Sequence, residues 1–449
     1  MKSPPRKPHL PHISWFVVFF AILSIISIIY AQIVGYSNTQ KAVKFLKNFE
    51  NMPVIISGTV LKDPTESEDK IGYTLTSLRL EEPATQELAG KIYISFRNLN
   101  TEQRPERSDR LTLSGELQAG FGNFVASLRS PKIERLEPGD DAFLRVRNHF
   151  ADQIRTYVEA PESGLELGYL LGMKTEIDPD FEETLRMVGL THMVVASGTH
   201  LGILVGVGRK LFGKISRFAG LLAAGIMIVI FVGITGLTPS MMRAAFVSGL
   251  TLIAWYFGRD ADAWRILLYA AAVTLLINPD NLTDLAWQLS FGSFTGLMLI
   301  APILTRFFYG SKSPGFIGSS IVTSVSTILC CAPILLYSFG SLSIISILAN
   351  ILILPTLAPV MGLGLVTGVC GLLGVPLLAQ ICGFITTIVL KYHIFTVNLL
   401  GAQSIFLVEV EKNNPIVFLL WLIPVSLIII KIWQTKKHQT AFLANARSG

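Results

Sequence analysis

Charge is scarce in this sequence. Asp, Glu, Lys and Arg make up 15% of the 449 residues, whereas soluble globular chains carry about a quarter. Hydrophobic residues make up 51%, and the mean hydropathy is +0.54. Many apolar runs approach or exceed the roughly 18 residues that mark a spanning helix. So little charge and so many apolar runs point to a polytopic membrane protein.

Cysteine is almost absent. The four present, Cys330, Cys331, Cys370 and Cys382, all lie in apolar runs, and no C-x-x-C occurs. Neither a zinc site nor a disulfide framework is suggested, and small apolar core residues are the simpler reading. No Walker A motif is present, so energy for any transport comes from a partner or a gradient. No G-x-S-x-G elbow marks a hydrolase nucleophile. The Gly-x-Gly at 362–364 follows no strand and reads as helix packing rather than a dinucleotide site.

What is present falls into distinct segments. Residues 1–12 are polar, with Lys2, Arg6 and Lys7, and form a cytoplasmic N-terminus. Residues 13–37 hold a long apolar run without a clear small-x-small cleavage site, so a retained signal anchor is expected. Residues 38–140 alternate apolar and polar positions in five runs: 54–60, 73–80, 91–96, 110–117 and 123–128. Polar pieces such as K-D-P-T-E-S-E-D-K separate them. Five short strands so spaced predict a small OB-like β-barrel. Residues 141–187 are amphipathic, with Phe150, Ile154, Tyr157 and Val158 on one helical face. They are expected along the membrane surface or against the bundle.

Apolar runs dominate residues 188–433. Spans are expected near 188–207, 218–237, 241–257, 264–278, 285–305, 317–338, 343–371, 374–397 and 415–433. With the anchor they total about ten. Pro355 and Pro359 leave 343–371 readable as one broken helix or two short ones. Basic residues favour the cytoplasmic side of short loops. Arg209, Lys210, Lys214, Arg217, Arg306, Lys312 and the basic tail 434–449 all fall inside if the N-terminus does. An even span count is needed for that agreement. The β domain is then extracytoplasmic. Arg259, Asp260, Asp262 and Arg265 form a cytoplasmic turn with internal ion pairs.

Polar groups inside apolar runs are costly and usually face a bundle interior or a pathway. Three groupings fall in the outer half of the predicted membrane. His192, Ser197, Thr199 and His200 lie in T-H-M-V-V-A-S-G-T-H-L-G, Arg243 follows L-T-P-S, and Asp284, Gln288 and Ser290 open D-L-A-W-Q-L-S-F. Arg243 reads as a snorkelling residue, a partner of Asp284, or a phosphate fork. The histidines read as packing residues, since no third ligand gives a metal site. A Ser197–His200 nucleophile–base pair rests on spacing alone, and Ser197 with Gly198 suits a kink or close packing better.

Three stretches together resemble the ComEC/Rec2 family of competence proteins, inner-membrane channels for DNA uptake in natural transformation. They are E-T-L-R-M-V-G-L-T-H-M-V-V-A-S-G-T-H-L-G (183–202), G-L-T-P-S-M-M-R-A-A (236–245), and G-R-D-A-D (258–262) with W-Q-L-S-F (287–291). The resemblance covers roughly residues 10–435. It implies that single-stranded DNA crosses the bilayer through the helix bundle, guided by the OB-like domain. Such domains bind single strands through basic grooves and stacked aromatics. Tyr73, Tyr93, Phe96, Phe121 and Phe124 are candidate platforms, although a small barrel core would also use them. Arg79, Arg97, Arg104, Arg107, Arg110 and Arg129 are candidate phosphate contacts.

The pathway residues expected are His192, Ser197, His200, Arg243, Asp284, Gln288 and Ser290. No catalytic residue, metal or cofactor is assigned. Many family members carry a metallo-β-lactamase-like domain with an H-x-H-x-D-H motif, which this sequence lacks. The expectation is therefore a form without intrinsic nuclease activity, served by a separate nuclease and a cytoplasmic helicase-like motor. A homo-oligomer is among the assemblies the resemblance allows. Other readings are a transporter of another anionic solute, a membrane-embedded hydrolase using Ser197 and His200, or an assembly subunit without a pore.

Overall fold

The protein is described by a computed structural model covering residues 26, 29, 36–67, 70–97, 104–121, 124–194, 198–236, 239–258, 263–310, 312–402 and 407–411. Most of the expected signal anchor, the run at 415–433, the tail, Ser197 and the turn residues Arg259, Asp260 and Asp262 lie outside the described residues. The chain divides into two compact units: Met1–Asn148 with Ser197–Trp287, and His149–Ala196 with Gln288–Gly449.

In the first unit helix α1 (Tyr36–Leu46) is followed by one sheet. Its strands are β1 (Pro53–Val60), β2 (Thr65–Ser67), β3 (Lys70–Glu82), β4 (Gln86–Leu88), β5 (Ile92–Phe96), β6 (Arg110–Ala119) and β7 (Ala126–Glu137). All five expected strands form, the last beginning at Ala126 rather than 123. Two short strands, β2 and β4, were not expected. β2 lies within K-D-P-T-E-S-E-D-K, where it pairs with the start of β3 despite its polar composition. Main-chain ladder bonds do not need apolar side chains.

β1 pairs antiparallel with both β3 and β6. β3 pairs with β5, β5 runs parallel to β7, and β7 pairs with β6. These pairings return to β1. Alternation sets which side chains turn inward. Ile92, Ile94 and Phe96 are buried on β5, whereas Tyr93 and Ser95 between them are not. Ile56, Leu75, Leu80, Leu111 and Leu113 are inaccessible as well. Full burial of each such side chain contributes about 1.5–3 kcal/mol.

After the sheet comes α2 (Ala142–Tyr157), which passes from the first unit into the second. Of its expected apolar face, Phe150 and Ile154 are buried, as is Val158 just past its end, and Tyr157 is half-buried. The rest of 141–187 forms α3 (Glu162–Leu171) and α4 (Pro179–Val188). Every residue of α3 is buried, so of the two expected placements, along the membrane surface or against the bundle, it takes the second. Asp178 starts α4 by accepting from the Asp180 and Phe181 amides, with Pro179 at the first helical position. Gly189 ends it at φ 78°, a left-handed conformation that favours glycine.

The expected span 188–207 is not one helix. Thr191–Met193 forms a 3-10 turn, and α5 (Gly198–Phe212) begins later. Then follow α6 (Arg217–Thr235), α7 (Pro239–Tyr256), α8 (Ala263–Ile277), α9 (Leu285–Tyr309), α10 (Phe316–Phe339), α11 (Ser346–Leu372) and α12 (Pro376–Gly401). Among the described residues, α6, α9, α10, α11 and α12 are long and apolar enough to cross a membrane, while α7 and α8 are shorter apolar helices. The chain is a multi-pass membrane protein. Leu222 and Val229 on α6 and Phe384 on α12 are more than half exposed, as lipid-facing side chains are. The stretch at 343–371 contains one helix, α11, which runs through Pro355 and Pro359. Near these prolines the Tyr392 hydroxyl donates to the Leu352 carbonyl at 3.1 Å. Two short strands, β8 (Ser341–Ser343) and β9 (Leu407–Glu409), pair in the second unit.

Small residues let these helices approach closely. A Cβ at Gly383 of α12 would collide with the Tyr157 carbonyl, and backbone cannot move aside. Gly383→Ala is expected to destabilise the protein by about 1–3 kcal/mol. Gly362 on α11 faces open space, so Gly362→Ala should leave the melting temperature unchanged or raise it slightly. Thermal unfolding in detergent compares the two.

Candidate functional site

The sheet separates the aromatic candidates. Tyr73 and Phe96 lie in its core at 1% and 5% exposure. Their rings meet edge to face at 5.9 Å, which is a packing contact. Tyr93 leaves β5 on the opposite face. Its ring lies across Gly72 of β3, where a Cβ would collide with the Tyr93 hydroxyl. Phe121 and Phe124 come from the β6–β7 connection. Centroids are 5.5 Å apart for Tyr93–Phe121, 5.5 Å for Tyr93–Phe124 and 5.2 Å for Phe121–Phe124. Phe121 is 53% exposed. Tyr93 and Phe124 are half-buried beside it, so the cluster presents one exposed ring on two partly covered ones.

The arginines separate too. Arg79, Arg97, Arg104, Arg110 and Arg129 are exposed. Arg79 stands opposite Glu87, Arg110 opposite Glu137 and Arg129 opposite Glu116 in the ladders, which tempers their positive field. Arg107 is different: it is buried and fully engaged. Its Nε and Nη2 donate to Asp141 Oδ2 at 3.2 and 2.9 Å, Nη1 to the Ile234 carbonyl at 3.0 Å, and Nη2 to the Gly233 carbonyl at 2.9 Å. Arg107 therefore ties the sheet domain to the end of α6 and is not a phosphate contact. Burial pushes the Asp141 carboxyl up, but hydrogen bonds from the Leu144 amide, Arg107 and Ser108 outweigh it and hold the group below its ordinary value. A second tie joins Arg147 of α2 to Asp63 through two bonds of 2.6 and 3.0 Å.

Of the expected pathway residues, His200, Arg243 and Asp284 fall in the first unit. His200 is buried on α5, and Arg243 is buried on α7. The Arg243 fork lies against Gly198 at the start of α5; a Cβ there would sit 3.1 Å from Nη2. Asp284 caps α9 by accepting from the Trp287 amide at 3.0 Å. The Trp287 indole donates to Thr274 Oγ1 at 3.1 Å, and Asn281 Nδ2 donates to the Thr274 carbonyl at 2.9 Å. These bonds fix the turn from α8 into α9 and give Trp287 of the W-Q-L-S-F stretch a structural role.

His192, Gln288 and Ser290 fall in the second unit. The His192 ring nitrogen Nδ1 is 3.1 Å from the Gly189 carbonyl. Gln288 is half-buried and Ser290 buried on α9. Ser197 is outside the described residues. No group of three or more His, Cys, Asp or Glu side chains that could hold a metal occurs among the described residues.

Sequence reasoning missed a polar cluster in the second unit. Glu166 on α3 is inaccessible, and Glu162 one turn earlier is 5% exposed. Tyr169 and His393 join them as buried polar groups linked by a 3.3 Å contact. Burial alone holds the Glu166 carboxyl far above the usual carboxylate range. The signal was a glutamate inside G-L-E-L-G-Y-L-L-G, where Gly164, Gly168 and Gly172 recur every fourth residue. Such spacing marks close helix packing.

A family model described as competence protein matches residues 169–435. ComE operon protein 3 of Bacillus subtilis (strain 168) is 27% identical over 219 residues, covering 47% of this chain and 27% of that protein. Competence protein ComA of Neisseria gonorrhoeae is 27% identical over 202 residues, covering 43% of this chain and 28% of that protein. The matched stretch thus spans little more than a quarter of either relative's length. No solved structure matches the chain. With its matched region extending over more than half of its residues, from the buried helix α3 through the apolar helices, this chain belongs to the competence protein family.

Proposed function

We propose that this protein carries single-stranded DNA across the cell membrane during natural transformation. The observation that carries the reading is the Tyr93–Phe121–Phe124 cluster, with Phe121 exposed, on the sheet domain of a competence-family membrane protein. The circuit β1–β3–β5–β7–β6–β1 has the strand order of a five-stranded Greek-key barrel of the OB type. Folds of that type bind strands across the face of their second and third strands and the adjoining loops. Here those strands are β3 and β5, and Tyr93 with the β6–β7 connection occupies that face. Stacking is tolerant of sequence because every base has a flat apolar surface. That suits uptake of arbitrary DNA.

In this reading the domain is extracytoplasmic and both termini are cytoplasmic. The strand's path through the helices is built from His192, Ser197, His200, Arg243, Asp284, Gln288 and Ser290. Arg243 meets phosphate, and the protein makes and breaks no covalent bond. A separate nuclease prepares the strand, a cytoplasmic helicase-like motor draws it in, and copies of the chain can associate.

Arg243→Ala is expected to abolish most uptake at normal protein levels, because a buried guanidinium is the strongest phosphate partner in these helices. Asp284→Ala should lower uptake less, since its cap orders the start of α9. Uptake of labelled DNA into a nuclease-protected pool reads both. Wild-type uptake in the two variants together removes the pathway assignment.

A further inference from the structure

Glu166 meets no hydrogen-bond donor among the described residues at either carboxylate oxygen, although it is completely buried. Its carboxyl lies directly on Gly364 of α11, in the space a Cβ would take. α3 also packs against α12. Tyr169 follows Glu166 by three residues, so both lie on neighbouring positions of one α3 face.

From Tyr169 a hydrogen-bonded chain crosses the packed helices. The Tyr169 hydroxyl is 3.3 Å from His393 Nδ1 of α12, and His393 Nε2 is 2.7 Å from Thr356 Oγ1 of α11. Thr356 Oγ1 is 3.0 Å from the Ile353 carbonyl. A carbonyl can only accept, and that orients the Thr356 end of the chain. Thr356 donates to Ile353 and His393 donates through Nε2–H to Thr356. At Nδ1 a neutral ring accepts from Tyr169 and a charged ring donates to it. The chain ends at the segment of α11 that holds Pro355 and Pro359.

Other charges do not compensate Glu166. On α11 the titratable group is Cys370; α12 carries Cys382, Lys391, Tyr392 and His393. Lys391 is exposed and paired with Glu159. On α3 itself, Glu162 is buried with Oε2 unpartnered. In the connection after α3, Lys174 pairs with Glu182, Glu176 pairs with Arg155, and Asp178 caps α4. His192, beyond α4, bonds the Gly189 carbonyl. A bare carboxylate at position 166 would have lost its hydration with nothing in return. A neutral acid loses far less.

We propose that Glu166 is a buried proton-binding site, with Tyr169, His393 and Thr356 as a hydrogen-bonded relay beside it. Binding moves one proton from water to a carboxylate oxygen, and the neutral side chain docks on Gly364. Release returns that proton to water, and the charged side chain needs water to enter between α3 and α11. Proton occupancy is thereby coupled to the α3–α11 contact. This proposal does not depend on which solute the helices pass, and no DNA enters its test.

The test is infrared difference spectroscopy on the purified full-length protein across a pH titration. The wild type should show a protonated-carboxyl band at pH values where an ordinary carboxylate is ionised, and that band should be absent in Glu166→Gln. Glu166→Gln should melt at or above the wild-type temperature, because the amide keeps the shape without the charge. Tyr169→Phe breaks the relay and leaves the carboxyl; the band should remain and its titration should shift. It also serves if Glu166→Gln does not fold. A folded wild type with no such band overturns the proposal. So does a band unchanged in Glu166→Gln, an unshifted titration in Tyr169→Phe, or a band displaced by sodium chloride at constant pH, which would make the site a metal-cation site.

Discussion

Arg107→Ala should cost about 3–5 kcal/mol, because it strips one partner from a buried ion pair. The loss is larger than the pair itself. Asp141 would keep only its bonds from the Leu144 amide and Ser108, and the Gly233 and Ile234 carbonyls at the end of α6 would lose their donor. Arg107→Lys should recover little, since a point ammonium cannot span three acceptors in a planar fork. Limited proteolysis between the sheet domain and α6, with thermal melts, reads the effect. The same tie gives a pH signature. Asp141 is held below its ordinary value in the folded protein. Its contribution is therefore complete above about pH 4, the ordinary carboxylate value, and is lost as pH falls through the lower native value. Acid should loosen this junction in the wild type and change it little in Arg107→Ala.

Phe121→Ala should weaken binding of single-stranded DNA by the full-length protein about tenfold, from ~1–3 kcal/mol per stacked base. Removing Phe124 as well should deepen the loss, though less than additively, because the two rings touch each other. Phe121→Tyr should retain affinity, since the ring and not its identity is needed. Gly72→Ala should act like a milder Phe121→Ala, because the added methyl displaces the Tyr93 ring. All affinities should fall with salt, as phosphate neutralisation requires. Full affinity in Phe121→Ala would show that the cluster is packing surface and would remove the observation on which the functional reading stands.

The sheet was legible because period-2 alternation is a strong signal once polar turns bound it. Its strand ends were less so: β7 starts late because Val125 enters the core before the ladder begins. Alternation alone could not say which aromatics face inward. Tyr73 and Phe96 share the phase of the core, while Tyr93 is one residue out of phase with Ile92 and Ile94. Arg107 resembled its exposed neighbours, because a buried tie between residues more than a hundred positions apart leaves no local pattern. Length and hydropathy located α6 and α9 to α12, the five helices among the described residues that are long and apolar enough to cross a membrane. Thr191–Gly202 was misread as the opening of one helix because Gly189 stops α4 just before it, and the chain turns before α5 begins. Glu166 was overlooked because Gly364, His393 and Thr356, which surround it and Tyr169, come from helices close only in the fold.

The most direct measurement is uptake of labelled DNA into a nuclease-protected cytoplasmic pool in a host deleted for this gene. Loss of that pool, restored by the wild-type gene but not by Arg243→Ala at equal protein level, is the predicted result. Undiminished uptake after deletion, in a host with no second homologue, would contradict the DNA-channel account.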